Sequence, residues 1–213
     1  MDILPTLPLL IGFVAASAVL AITPGPDMAF FLGRTARGGR RLGFLALLGA
    51  LTGLLCHALM AALGLSTLLA SSAAAFMTLK IVGCGYLLWL GLQAIRHGTT
   101  LPTTGPDNGG NSALRTYLGG VAINLLNPKI VMFFLTFLPQ FVGPDDPQAS
   151  GKMLFLSLLF IAVGALVCGV IIFSAERFMA ACRTNRRVTR ALDYVFAGLM
   201  GLFAGKLLLS TSR

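Results

Sequence analysis

Thr23-Pro24-Gly25-Pro26-Asp27 interrupts the first long apolar stretch of this sequence, which otherwise runs through residues 7–32. Two prolines and a glycine cannot continue a regular helix without leaving backbone carbonyls and amides unpaired. At membrane depth such a break is tolerated only where it is buried in protein or lines a cavity. The stretch therefore predicts a broken transmembrane helix that carries a carboxylate at its break.

Apolar residues dominate the whole chain: of its 213 residues, 56% are hydrophobic and 11% are charged. Soluble globular proteins have roughly a quarter charged residues. A helix needs about 20 apolar residues to cross a bilayer, and six runs reach that length: residues 7–32, 42–65, 73–95, 117–142, 153–175 and 188–209. We expect an all-α integral membrane protein of six transmembrane helices. The start of the chain carries Asp2 and no basic residue, so we expect a retained helix and not a secretory signal.

The basic residues that give the net charge of +9 lie mostly between the apolar runs. The connections after the first, third and fifth runs hold eleven arginines, and the opposite ends hold only Lys152 and Arg213. Cytoplasmic loops carry the excess of positive charge, so we expect both termini outside. The arginines of residues 34–41 and 177–190 are interpreted as loop charges that meet lipid headgroups. No aromatic residues interleave with them, which argues against nucleic-acid binding.

A second break lies in the fourth run, at Asn124-Leu125-Leu126-Asn127-Pro128-Lys129. Gly25-Pro26-Asp27 matches Asn127-Pro128-Lys129, and an odd number of spans separates the two motifs. The two halves must then insert with opposite orientation, as in the inverted repeats of secondary transporters. We expect a single transmembrane transporter domain, a 3+3 inverted-topology repeat with broken first and fourth helices. Its halves are about residues 1–97 and 114–213, joined by a linker of about 98–113 that we interpret as a spacer.

Asp27 and Lys129 are the charges at the two breaks, and each costs roughly 2.5 to 3.5 kcal/mol at the centre of a membrane helix. They should therefore face the bundle interior, where they would meet. One interpretation is a structural salt bridge. In the other, the carboxylate titrates with a coupling proton or binds a substrate ammonium, and the lysine binds a substrate carboxylate.

Lys80 and His57 are the remaining polar candidates within the spans. Lys80 lies seven residues into the third run, so its side chain could reach either the outer surface or the bundle centre. His57 could relay protons or be a hydrogen-bonded interior histidine. The four cysteines lack metal-ligand spacing and are interpreted as packing residues.

Several ordered motifs resemble the lysine exporter family, which includes the homoserine and threonine resistance exporters. They are Ile22-Thr23-Pro24-Gly25-Pro26-Asp27, Gly39-Arg40-Arg41-Leu42-Gly43, Leu79-Lys80 with Gly85-Tyr86-Leu87-Leu88-Trp89-Leu90-Gly91, Asn124-Leu125-Leu126-Asn127-Pro128-Lys129 and Phe137-Leu138-Pro139-Gln140-Phe141. The resemblance implies efflux of amino acids or their derivatives across the bacterial inner membrane, driven by the proton gradient. One departure is residues 53–57, where that family often has an acidic residue and this chain has Gly-Leu-Leu-Cys-His.

The expected partners are an amino-acid substrate, protons and membrane lipids, without nucleic acid, and glycine-rich helix faces would permit a homodimer. No cofactor, no metal and no enzymatic activity are expected. A metal-cation exporter is the first alternative, although clustered carboxylates, thiols or imidazoles should then line the spans. A membrane scaffold or an intramembrane enzyme is the second, although an enzyme would need a paired nucleophile and base.

Overall fold

A computed structural model describes residues 5–65, 112–142 and 146–175, together with single positions between 81 and 96 and between 187 and 205. The secondary structure of these residues is helical. The elements are α1 (Leu7–Ile22), α2 (Pro26–Met60) with a π-helical continuation (Ala61–Leu65), α3 (Ala113–Leu125), α4 (Pro128–Met132) with π-helical (Phe133–Phe137) and 3-10 (Leu138–Phe141) continuations, and α5 (Ala149–Phe173).

Both breaks predicted from the sequence are present. α1 ends before Thr23, and α2 begins after an extended Gly25, with Pro26 in its first turn. α3 ends before Leu126, and α4 begins after Asn127, with Pro128 in its first turn. A proline is favoured at this position because its missing amide would have no helical partner there.

α2 contains a second interruption, at Gly38 and Gly39, where the backbone leaves the helical conformation. Gly39 has φ of +76°, a value that glycine adopts without a steric penalty. A Cβ at Gly43 would collide with the hydroxyl of Thr35, eight residues earlier. Those positions would be about 12 Å apart along a straight helix, so the chain folds back at the two glycines. The arginines predicted as loop charges are therefore partly helical, and Arg34 is buried beside the ring of Phe30.

By length and composition, two helical ranges of the described residues could cross a membrane: Pro26–Gly64, which includes the fold-back at Gly38 and Gly39, and Ala149–Phe173. The pair Ala113–Leu125 and Lys129–Phe141, bent by 49°, makes a third candidate if it is one span. The third and sixth predicted spans and the linker lie largely outside the described residues. Cys84 and Ala204, two described positions of those spans, are in contact through a hydrogen bond from Sγ to the carbonyl at 3.4 Å.

α2 and α3 pack closely because small residues line their contact. A Cβ at Gly49 would collide with the carbonyl of Tyr117, and a Cβ at Gly120 would collide with the carbonyl of Ala46. Close backbone approach of this kind is how helices associate in lipid, where the hydrophobic effect does not drive them together. The hydroxyls of Thr52 and Tyr117 share a hydrogen bond of 2.9 Å across the same contact.

Candidate functional site

The first helix break and the last turn of α3 are joined by a hydrogen bond between Asp27 and Asn124. The side-chain amide of Asn124 donates to Oδ2 of Asp27 at 2.8 Å, and Asn124 is 1% exposed. Among the described residues, Oδ1 of Asp27 and Oδ1 of Asn124 are buried without a hydrogen-bond partner. Each of the two side chains therefore has one acceptor atom left for a further donor.

The side chain of Lys129, which follows the second break, extends to the first break. Its ammonium donates to the carbonyls of Leu20 at 3.2 Å and Thr23 at 3.0 Å, at the C-terminal end of α1. A cation is favourable there because the last carbonyls of a helix have no amide partner and carry the negative end of the helix dipole. Gly25 leaves the necessary space, since a Cβ there would lie 3.0 Å from Nζ of Lys129.

Asp27, Asn124 and Lys129 line one cavity of about 50 Å³ between α1, α2, α3, α4 and α5. The remaining lining is largely apolar and includes Phe31 and Phe160. Asp27 and Lys129 both belong to the described residues, and no ion pair joins them directly. The structural salt bridge that the sequence left open is therefore not formed in this conformation, and each charge is held by other polar groups.

The other predicted residues of the two breaks shape the backbone. Thr23 through Pro26 form the passage from α1 to α2, in which Gly25 adopts an extended conformation. The carboxamide oxygen of Asn127 accepts a hydrogen bond from the amide of Lys129 at 3.0 Å and so caps α4. The side-chain nitrogen of Asn127 is buried, and no described residue is its hydrogen-bond partner.

His57 lies on α2, about one helical turn after Gly53, and it does not line this cavity. Its ring stacks on Phe134 with centroids 5.5 Å apart, and its Nε2 is buried without a hydrogen-bond partner among the described residues. The imidazole also interacts with the backbone of Asn124 and Leu125. The proton relay and the hydrogen-bonded interior histidine therefore both stay predictions. His57 lines a separate cavity of about 350 Å³. Lys80, the remaining candidate, lies outside the described residues.

Sequence reasoning did not identify three features of this region: the α1 carbonyls that bind Lys129, the contact of Gly53 with Asn124, and the position of Phe134. A Cβ at Gly53 would lie 2.7 Å from Oδ1 of Asn124. Among the described residues, no group of three or more His, Cys, Asp or Glu could hold a metal ion.

Comparison with known proteins identifies the family of this chain. The model of the LysE type translocator matches residues 18–211. The homoserine/homoserine lactone efflux protein of Salmonella typhi is 30% identical, over 93% of this chain and 95% of its own. The leucine efflux protein of Enterobacter sp. (strain 638) is 23% identical, over 89% and 88% of the two chains. An uncharacterized membrane protein of Vibrio cholerae is 28% identical, over 91% and 95%.

No solved structure matches the chain. The family model nevertheless covers both broken helices and the polar centre between them, and the resemblance read from the sequence motifs is confirmed. The chain belongs to the LysE type translocator family of membrane transport proteins.

Proposed function

We propose that this protein exports amino acids or their derivatives across the bacterial inner membrane, by antiport with protons. The relatives named as efflux proteins for homoserine, homoserine lactone and leucine support this class of substrate. The observation that carries the proposal is the meeting of Asp27, Asn124 and Lys129 at the junction of two broken helices. Ionisable groups inside a membrane bundle are costly, and they mark transport pathways.

The chemistry of this centre fits a zwitterion. The ammonium group of an amino acid needs acceptors, and the unpaired Oδ1 atoms of Asp27 and Asn124 provide two. The carboxylate group needs a cationic donor, and the ammonium of Lys129 lines the same cavity. Hydrogen bonds in which the donor or the acceptor is charged are about twice as strong as neutral ones, so these contacts would recognise the groups that all α-amino acids share.

The proposed architecture is a 3+3 inverted repeat of six helices, with halves of about residues 1–97 and 114–213. Reciprocal contacts support it. Asp27, which follows the first break, accepts a hydrogen bond from Asn124, on the other side of the second break. Lys129, which follows the second break, donates hydrogen bonds to the carbonyls of Leu20 and Thr23, on the other side of the first break. Equivalent contacts in both directions are expected when two similar halves face each other around a two-fold axis.

Further contacts agree with such an axis. The second predicted span packs on the fourth through Gly49 and Gly120. In the corresponding pair, the fifth predicted span approaches the first, and Sγ of Cys168 lies 3.9 Å from the carbonyl of Ala21. The third and sixth spans meet at Cys84 and Ala204. The same proposal includes three further features. Both termini lie outside, residues of about 98–113 form a spacer linker, and two copies of the chain form a homodimer.

Proton coupling is assigned to Asp27. An antiporter needs a group whose proton occupancy differs between the two orientations of its site, and Asp27 is the carboxylate of the polar centre. Protonated Asp27 would lose its attraction for a substrate ammonium, so proton binding and substrate binding would exclude each other. The lysine would stay bound to α1 when the substrate is absent.

The cavity must open for transport. Its volume of about 50 Å³ is well below the roughly 300 to 1,000 Å³ of small-molecule sites. We therefore propose that the cavity enlarges when an amino acid binds during the alternating-access cycle.

Flux measurements in vesicles test the assignment. Asp27→Asn should abolish export driven by a proton gradient and leave membrane insertion intact, because an amide is cheaper to bury than a carboxylate. Lys129→Met should raise the KM for the amino acid. Asp146→Asn, which removes a carboxylate outside the spans, is the matched control and should retain activity. Full gradient-dependent export by Asp27→Asn, at equal protein amount, would refute the assignment.

A further inference from the structure

The His57 cavity, with its volume of about 350 Å³, lies within the range of small-molecule sites, roughly 300 to 1,000 Å³. Its described lining combines one polar side chain, His57, with apolar groups that include Met60, Val131, Phe134 and Leu135. Such a cavity, mostly apolar with one or a few polar groups, is typical of a site that binds the apolar part of a ligand.

His57 makes this cavity more than a packing defect. The residue is 7% exposed, and its buried Nε2 has no hydrogen-bond partner in the part of the chain that the structure describes. A buried polar atom without a partner is costly unless a ligand or water satisfies it. A neutral imidazole nitrogen can donate or accept according to its tautomer, so it suits a hydroxyl or an ester oxygen as well as water.

A thin layer of side chains separates this cavity from the polar centre. Phe134 lines the large cavity and Phe160 lines the small one, and their rings meet edge to face with centroids 6.1 Å apart. Leu54, one helical turn before His57, also lines the small cavity. Ile130 and Val131, the two residues after Lys129, line the small and the large cavity respectively. Phe134 and Phe160 therefore form part of the wall between the two cavities.

We propose that the His57 cavity receives the side chain of the exported amino acid and selects side chains without a charge. This inference rests on the proposed function, in which Asp27, Asn124 and Lys129 hold the ammonium and carboxylate groups. Among the described residues that line the cavity, none carries a charge opposite to that of a lysine or glutamate side chain, and burial of an unpaired charge is strongly unfavourable. His57 would contribute one hydrogen bond to substrates whose side chain carries oxygen.

The test is export from proteoliposomes loaded with alanine, leucine, homoserine, lysine or glutamate. The uncharged amino acids should be exported and lysine and glutamate retained. Gly64→Leu should then fill the cavity, since a Cβ at Gly64 would meet no heavy atom within 4 Å. It should lower kcat/KM for leucine roughly tenfold relative to alanine, a discrimination of the size that a methylene group produces in an apolar pocket.

The matched control is Gly12→Leu, which adds the same side chain on α1 at another position where a Cβ would meet nothing within 4 Å. Gly12→Leu should leave the ranking of the substrates by kcat/KM unchanged. His57→Phe preserves an aromatic ring on Phe134 and removes the nitrogen, so it should lower export of homoserine relative to leucine.

Two results would overturn the inference and leave the proposed function standing. One is export of lysine as efficient as that of leucine. The other is an equal effect of Gly64→Leu on all substrates, which is expected if a lipid chain occupies the cavity. Absence of Asp27-dependent export of any amino acid would instead contradict the proposed function.

Discussion

Asp27 and Lys129 both follow a proline in the first turn of a helix, yet the helix dipole affects them in opposite ways. The positive end of a helix favours a carboxylate and disfavours an ammonium. Lys129 compensates by binding the carbonyls of Leu20 and Thr23, at the negative end of α1. Each charge thus lies at a helix end of opposite polarity, and this explains how both are retained without a direct ion pair.

Gly53 should be required for the position of Asn124. A Cβ at this glycine would lie 2.7 Å from Oδ1 of Asn124 and 2.9 Å from its Cβ, so Gly53→Ala must displace the asparagine. We expect the hydrogen bond to Asp27 to weaken and kcat/KM for export to fall roughly tenfold, which corresponds to ~1.4 kcal/mol, within the range for a hydrogen bond. Measurement of amino-acid flux in vesicles gives the change in kcat/KM.

Gly12→Ala is the control for this change, because a Cβ at Gly12 would meet no heavy atom within 4 Å. It should behave as the unaltered protein does. Equal export rates for Gly53→Ala and Gly12→Ala would show that the exact position of Asn124 does not matter for transport.

At the scale of elements, α2 and α3 form the closest helix pair around the site, and glycine makes the approach feasible. Gly49→Val should destabilise the protein by about 1 to 3 kcal/mol, because the added side chain collides with the Tyr117 carbonyl and overpacks the contact. Thermal unfolding in detergent measures the change. Gly151→Val, at an open position of α5, should unfold within a few degrees of the parent. A similar loss in both variants would contradict close packing of α2 on α3.

The connection into α5 is held by Asp146 and Lys152. The hydrogen bond from Lys152 and a second from the amide of Gln148 hold the pKa of Asp146 below its usual value. The ionised carboxylate therefore stabilises the folded state above the unfolded-state pKa of about 3.9, and this contribution is lost as the pH falls through the lower, folded-state pKa.

Lys152→Met should raise the pKa of Asp146 toward about 3.9, because the first cause of the shift is removed. Lys152→Arg retains a cation and should preserve most of the shift. Titration of a labelled carboxyl carbon by NMR gives both values. An unchanged pKa in Lys152→Met would mean that the amide of Gln148 alone holds the carboxylate.

At the scale of the whole molecule, the distribution of arginines predicts both termini outside. In a chain lacking its native cysteines, Pro147→Cys should react with an impermeant thiol reagent added from outside, and Arg41→Cys only after permeabilisation. Both positions are exposed, so accessibility depends on the side of the membrane. Reaction of Arg41→Cys in intact cells, with Pro147→Cys protected, would reverse the topology.

The apolar runs and the proline motifs were sufficient to predict helices, both breaks and the charged residues at them. These properties are local: a proline removes a backbone donor wherever it occurs, and an apolar run of about 20 residues is compatible with a membrane helix whatever its neighbours. The motif order was also enough to indicate the family, since the family model covers residues 18–211.

Tertiary structure alone decided which groups meet. Asp27 and Lys129 line the same cavity, but the hydrogen bonds of Asp27 go to Asn124 and those of Lys129 go to carbonyls at the end of α1. Backbone carbonyls have no sequence signature, so the partners of Lys129 could not be read from residue types. The cavity beside His57 likewise depends on how α2 and the segment after α4 approach each other, and that distance is a property of the packed bundle.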